Sequence, residues 1–375
     1  MRRVRARLTG GAVAVLLTLA VASPVGAATP RSRQPLPPPP KAYVLVDVDT
    51  GAVIDQQDSR SLRPPASTIK LLTALIASQR LTAADAIPIT AVAEGMPARK
   101  INVKAGQVWK YDDLMHSMMM VSANDAAVAL AEKVGGGTLD GYVPIANATA
   151  ERLGLVDHPI LNDPAGLDDE FANKGGDRIS ARDLAIVARA VMQRPDLMTV
   201  VGDREFRFTG GDNIGHRITN HNLFLDLYAG ANGLKTGTTD LAGHTFVGSA
   251  TRAGRTMLAV VFDAVDSYAS AGALLDKGFA TPVANEASLD KLPAVVSDAS
   301  LPPPPTTVEA AGPVVPAPTS TYSFLDSTAF AFLILIAGLL PLGVLRRRAI
   351  ASRNRRFAKA VEDDDRELVR AARYF

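Results

Sequence analysis

Proline divides this chain. Pro302 to Pro305 run without a break, with Pro293, Pro313, Pro316 and Pro318 around them and Ser, Thr and Ala in many of the gaps. Such a stretch cannot bury enough apolar surface to fold, and proline stiffens it, so Glu286 to Asp326 reads as a semi-rigid linker. As polyproline II it would reach on the order of 100 Å, at about 3.1 Å per residue. Residues 29–41, which include the Pro-rich run Arg31 to Pro40, form a shorter arm. A single compact domain is expected between them, over residues 42–285, long enough to bury a core without covalent staples.

The ends of the chain read as export and membrane signals. Arg2, Arg3, Arg5 and Arg7 precede an uncharged run from Gly11 to Ala22, and Val25-Gly26-Ala27-Ala28 offers small residues for cleavage. That is the three-part layout of a secretory signal peptide over residues 1–28, cut after Ala27 or Ala28. An uncleaved N-terminal anchor is the alternative. Ser327 to Leu345 holds 19 residues without a charge, and Arg346, Arg347 and Arg348 follow at once. About 20 apolar residues cross a bilayer core as a helix, and arginines directly after it favour a cytoplasmic tail. The expectation is one C-terminal transmembrane helix over 327–345, the folded domain on the extracytoplasmic, cell-wall side, and residues 346–375 inside.

The net charge of +2 hides this asymmetry. The leader carries four Arg, and the tail carries nine Arg and one Lys against five acids. The exported body is therefore mildly acidic, and the basic residues serve topology rather than a nucleic acid. Cysteine is absent, which excludes disulfides, thiolate metal sites and a cysteine nucleophile. His116, His158, His216, His221 and His244 show no zinc-type spacing, so zinc is not expected.

Within 42–285 the pattern changes twice. Ala42 to Val48 and Ala52 to Asp55 are β-rich runs around Asp49-Thr50-Gly51, a hairpin signal. Helical stretches follow at Ser67 to Ser78, Tyr111 to Val121, Asn124 to Val134 and Leu139 to Leu153. Another opens at Ser180-Ala181-Arg182-Asp183, which resembles a capping box, and runs to Gln193. Glu205 to Thr209, Gly233 to Gly237, His244 to Thr251 and Arg255 to Asp263 read as strands, and Ala269 to Phe279 as a closing helix. The expected fold is an α+β sandwich. Its first and last strands share one antiparallel sheet, flanked by helices, with a helical insertion between them.

Three short strings carry chemistry. In Ser67-Thr68-Ile69-Lys70, at a helix start, positions i and i+3 share a face, which places an amine beside a hydroxyl. Serine is a poor nucleophile until a base takes its proton. Lysine can be that base only when neutral, so burial or a neighbouring cation must lower its pKa from about 10.4. A helix start also offers free N–H groups for an oxyanion. Ser122-Ala123-Asn124, between two helices, offers a hydroxyl able to pass a proton and a carboxamide able to hold a peptide group. Lys235-Thr236-Gly237-Thr238, on a strand, offers a fixed cation, a hydroxyl and a glycine that permits close approach of an extended peptide. Taken singly, each is better read as a helix cap, a surface lysine or an ordinary strand residue.

Together, in this order, they form the set of class A β-lactamases and penicillin-binding proteins. Further stretches add detail: Pro65 to Leu75, Val121 to Ala131, Arg152-Leu153-Gly154-Leu155, Asn162 to Leu167 and Asn232 to Gly237. The chain resembles the serine-type D-Ala-D-Ala carboxypeptidases, low-molecular-weight penicillin-binding proteins, over roughly 42–285. The family's C-terminal β-sandwich has no counterpart in this sequence; linker and membrane helix stand in its place. The resemblance implies removal of the terminal D-Ala from peptidoglycan stem pentapeptides through an acyl-enzyme on Ser67. Lys70 would be the base, Ser122 the proton relay, and Asn124 a substrate amide contact. Lys235 and Thr236 would bind the terminal carboxylate, and Lys235 would help keep Lys70 neutral. Backbone N–H groups of Ser67 and Thr238 would form the oxyanion hole. No metal or cofactor would be needed, and β-lactams would acylate Ser67. A D,D-endopeptidase would use the same site. A β-lactamase is disfavoured because His158, at the head of the relevant stretch, stands where a glutamate is needed. A membrane-tethered β-lactam sensor or wall-binding scaffold would need a larger signalling domain than residues 346–375.

Overall fold

The structure, a computed structural model, describes residues 37–295. The expected signal peptide, transmembrane helix and cytoplasmic tail lie outside the described residues, as do most of the arm and linker. Among the described residues no helix is long and apolar enough to cross a membrane.

The chain opens with β1 (Ala42–Asp47) and β2 (Val53–Gln57). A 3₁₀ turn (Ala66–Ile69) then leads into α1 (Lys70–Arg80). There follow β3 (Ala86–Pro88), α2 (Ala91–Glu94), β4 (Val108–Lys110), α3 (Tyr111–Met120), α4 (Asn124–Val134) and α5 (Leu139–Leu153). After a long loop come α6 (Ala181–Met192), α7 (Pro195–Gly202), β5 (Glu205–Thr209), β6 (Gly215–Thr219) and α8 (Phe224–Leu227). The domain closes with β7 (Ala231–Thr239), β8 (Gly243–Arg252), β9 (Arg255–Ala264) and α9 (Ser267–Ala280).

The expected antiparallel sheet is present, in the order β2-β1-β9-β8-β7. Side chains on a strand alternate between faces, and β9 uses both. Leu258, Val260 and Phe262 join Val44 and Val46 in a core built with α1, α4 and α6. Met257, Ala259 and Val261 join Leu45 in a second core with Phe224, Tyr268, Ala271 and Leu275. A strand covered on both sides reads as a continuous apolar run, as this one does. The β8–β9 turn pairs Arg252 with Arg255. Ala253 and Gly254 between them take φ of 49° and 78°, the left-handed pair of a tight hairpin turn.

The domain boundary needs correction, whereas the expected strand at Glu205 to Thr209 is present and forms a separate hairpin with β6. Phe206 stacks on His116, and Phe208 meets Trp109 edge-on, so its apolar face is already occupied away from the main sheet. The compact domain runs past residue 285. Glu286 is buried, Lys291 bridges to Ala52, the Leu292 N–H donates to the Gly51 carbonyl at 2.9 Å, and Arg189 Nη1 donates to the Pro293 carbonyl at 2.8 Å. Pro293 thus belongs to the fold.

Arg255 fastens this last segment. Its Nε donates to Asp47 at 2.7 Å, its Nη1 to the Thr281 carbonyl at 2.6 Å, and its Nη2 to Glu286. The Asp47 and Glu286 side chains are 2% and 3% exposed. Removing one member of such a cluster leaves buried charge uncompensated. Arg255→Met is expected to cost about 3 kcal/mol in chemical denaturation; a loss below about 1 kcal/mol would show that the cluster does not secure the C-terminal segment.

Candidate functional site

The site forms where four distant segments meet beside β7. The first is the turn carrying Ser67. Ala66 takes a left-handed φ of 49°, and Thr68 Oγ1 donates to the Pro65 carbonyl at 2.6 Å. The turn is fastened to the sheet by Thr245, whose Oγ1 donates to the carbonyls of Pro65 at 2.9 Å and Gly237 at 3.1 Å.

One turn further on, Lys70 is 0% exposed. Its Nζ lies 2.8 Å from Ser67 Oγ, 2.8 Å from Asn124 Oδ1 and 2.6 Å from the Ala165 carbonyl. Burial is the main cause of a pKa lowered to about 7, and Arg99 lowers it further while Asp163 and Asp125 oppose the shift. Arg99 is thus a cation that helps keep Lys70 neutral, and no sequence motif assigns it that role.

The second segment holds Ser122 and Asn124. Ser122 occupies the break between α3 and α4 with φ of 59° and is buried. Asn124 is tied at both ends: its side-chain Nδ2 donates to the Pro97 carbonyl at 3.2 Å, and its backbone N–H to the Arg99 carbonyl at 2.7 Å. The segment carrying Arg99 thus packs directly on this motif. Arg99 Nη1 lies 2.8 Å from His221 Nδ1, and the His221 N–H donates to the Met120 carbonyl at 2.9 Å.

The third segment is the loop at 162–167. Gly166 takes φ of 76°, and a Cβ on it would fall 1.9 Å from the Ala66 carbonyl oxygen. Only glycine lets this loop press on the Ser67 turn and present the Ala165 carbonyl to Lys70.

The fourth is β7. Lys235 is buried, with its Nζ donating to the Thr236 carbonyl at 3.0 Å. Thr238 Oγ1 lies 3.2 Å from His244 Nδ1, so His244 does border the site. Gly237 also permits a close approach inside the protein. An added Cβ would sit 2.4 Å from Thr245 Oγ1 and 2.9 Å from the Ser67 nitrogen, so the close approach it permits is to the serine turn.

The structure therefore joins Ser67, Lys70 and Asn124 by direct contact, places Gly237 against Ser67, and holds Ser122 two residues before Asn124. Lys235, Thr236 and Thr238 line the same strand. Sequence reasoning missed Ala165, Gly166, Thr245 and Arg99. The Ala165 contribution is a backbone carbonyl, which no residue type signals; Gly166 lay within a quoted string but without a role.

The comparisons with known proteins agree with this geometry. Residues 32–266 match the family of D-alanyl-D-alanine carboxypeptidases, peptidase S11. The chain is 34% identical over 269 residues to the D-alanyl-D-alanine carboxypeptidase DacB2 of Mycobacterium tuberculosis, covering 69% of this chain and 90% of that one. Against DacF of Bacillus subtilis it is 28% identical over 229 residues, 60% of this chain and 57% of the relative. The chain therefore spans little more than half of that longer protein. Among solved structures, a penicillin-binding protein homologue from Mycobacterium tuberculosis matches with a TM-score of 0.63 at 31% identity, covering 71% of this chain and 100% of its own. This chain belongs to the serine-type D-Ala-D-Ala carboxypeptidase family.

Gly237→Ala is expected to lower the rate of Ser67 acylation at least about a hundredfold, since shifts of about 1 Å at a reacting group have that effect. Retention of near wild-type acylation would show that the turn yields without penalty.

Proposed function

We propose that the protein removes the C-terminal D-Ala from peptidoglycan stem pentapeptides, with Ser67 as nucleophile and Lys70 as its base. The observation that carries this reading is the set of three partners around one buried amine. A neutral amine has two N–H donors and one lone pair. The Asn124 and Ala165 oxygens accept the two donors, and the lone pair is left facing Ser67 Oγ at 2.8 Å. The serine is thus presented with a base already oriented to take its proton.

In this reading Ser67 Oγ attacks the carbonyl carbon between the last two D-Ala residues as its proton passes to Lys70. The oxyanion forms against the backbone N–H groups of Ser67 and Thr238. Ser122 passes a proton to the departing D-Ala nitrogen as the C–N bond breaks and receives the proton held by Lys70, which leaves Lys70 neutral again. The substrate lies extended along β7, with Asn124 contacting its amide and Lys235 and Thr236 its terminal carboxylate. Water then enters, Lys70 takes one of its protons as the oxygen attacks the ester carbonyl, and that proton returns to Ser67 Oγ as the ester C–O bond breaks, which frees Ser67 and leaves Lys70 neutral. A β-lactam that mimics the terminal dipeptide would stop at the acyl-enzyme. Residues 1–28 and 327–345 support placement of this chemistry on the outer face of the membrane, held by a single C-terminal span, with the linker giving reach into the wall.

The full-length protein incubated with a pentapeptide muropeptide is expected to release one D-Ala, detected by mass spectrometry, and Ser67→Ala to release none. Cleavage of a cross-linked dimer without release from the monomer would contradict the carboxypeptidase reading in favour of an endopeptidase. The pH dependence has a definite sign. Lys70 acts when neutral, so kcat/KM rises with pH through about 7, where its pKa is held; activity already at plateau near pH 5 would exclude Lys70 as the base.

A further inference from the structure

The loop at 162–167 is organised around a carboxylate to which the sequence reading assigned no role. Asp163 is buried. Its Oδ1 accepts the N–H groups of Ala165 at 2.8 Å, Gly166 at 2.7 Å and Leu167 at 3.1 Å, and its Oδ2 accepts the Asn173 N–H at 2.8 Å. Four N–H donors on one carboxylate stabilise its charged form. Behind it, Asp177 Oδ1 accepts the N–H groups of Asn162 at 2.6 Å and Asp163 at 2.9 Å. Burial, then the charge of Asp163, pushes the Asp177 carboxyl well above the usual carboxylate range. The loop thus sets the Asp163 carboxylate among four backbone donors, with the raised Asp177 carboxyl behind it.

Resting on the reading of Lys70 as the base for Ser67, we propose that Asp163 is a positioning residue for that pair: its carboxylate folds the loop so that the Ala165 carbonyl holds one N–H of Lys70, and adds an acidic group to the surroundings of the amine. The first half follows from geometry. The Ala165 N–H is bound by Asp163, and the carbonyl of the same residue lies 2.6 Å from Lys70 Nζ. If that carbonyl drifts, the amine is free to rotate and its lone pair no longer points only at Ser67.

The second half is electrostatic. The charged groups acting on Lys70 come from three directions: Asp163 on this loop, Asp125 on α4, and Arg99 on the segment preceding α4. Burial and Arg99 favour the neutral amine; the two carboxylates favour the ammonium, Asp163 more strongly than Asp125. Proton transfer works best when the base has a pKa near the working pH. Without Asp163 the amine would remain neutral to lower pH and become a weaker base. The carboxylate therefore tempers the desolvation that the site imposes.

The test compares full-length wild type and Asp163→Asn by the rate of fluorescent-penicillin acylation from about pH 5 to about pH 9, which brackets the expected titration. Asparagine keeps an oxygen for the three loop N–H groups but removes the charge. Its acid limb is expected to move to lower pH by about half a unit or more, the direction for loss of a nearby opposite charge, with a lower plateau rate. A lower plateau with the limb unmoved would mean that Asp163 only supports the fold, and would overturn the proposal while leaving Ser67 and Lys70 intact. A wild type that is never labelled would overturn the underlying reading, and the proposal with it. Should Asp163→Asn not fold, Asp163→Ser is read in the same way; failure of both to fold also overturns the proposal.

Discussion

A primary amine with no exposed surface is the constraint around which this site is built. Moving an ammonium out of water costs several kcal/mol unless it is paired, and Lys70 meets that cost by resting near the neutral form. Neutrality makes it useful as a base, and its two accepting oxygens decide where its lone pair points. The surrounding features serve to bring those oxygens and Ser67 together. Asn124 is clamped between Pro97 and Arg99, the Ala165 carbonyl is delivered by a loop folded on Asp163, and the Ser67 turn is tied to β7 through Thr245.

The fold explains how segments so far apart in sequence can meet within hydrogen-bonding distance. The sheet is closed by its first and last strands, which leaves β7 as an edge. An edge strand retains unpaired backbone groups, suited to an extended peptide. The helical insertion supplies α1, with Lys70 at its first residue, and the break before α4 that carries Ser122. Contact between these layers is made by small residues. Gly237 and Gly166 each face the Ser67 turn from opposite partners, and at either position a methyl group would strike protein atoms. Close packing of this kind transmits displacement instead of absorbing it, so the geometry at Ser67 is sensitive to residues that never touch a substrate.

Much of this was legible before any coordinates. The apolar run within Arg255 to Asp263 marks a strand, and the three motif strings name Ser67, Lys70, Ser122, Asn124 and Lys235 by side-chain chemistry. What remained hidden has physical reasons. A backbone carbonyl such as that of Ala165 carries no residue-type signature. The glycine of Lys235-Thr236-Gly237 was readable as a point of close approach, but sequence does not say to what. Arg99 lies on a loop, and nothing local predicts that its charge reaches Lys70. The end of the domain is hidden because Pro293 resembles the prolines after it, while Arg189, which holds its carbonyl, and Arg255, which holds Thr281 and Glu286, lie far away in sequence.

The central claim is the protonation state of one side chain, and it can be observed directly. With the full-length protein carrying 13C at lysine Cε, the Lys70 resonance, assigned through Lys70→Arg, should titrate with a midpoint near 7, the value set chiefly by its burial. A midpoint near the ordinary lysine value of about 10.4 would mean that the amine is charged at working pH, and would contradict the account of Lys70 as the base for Ser67.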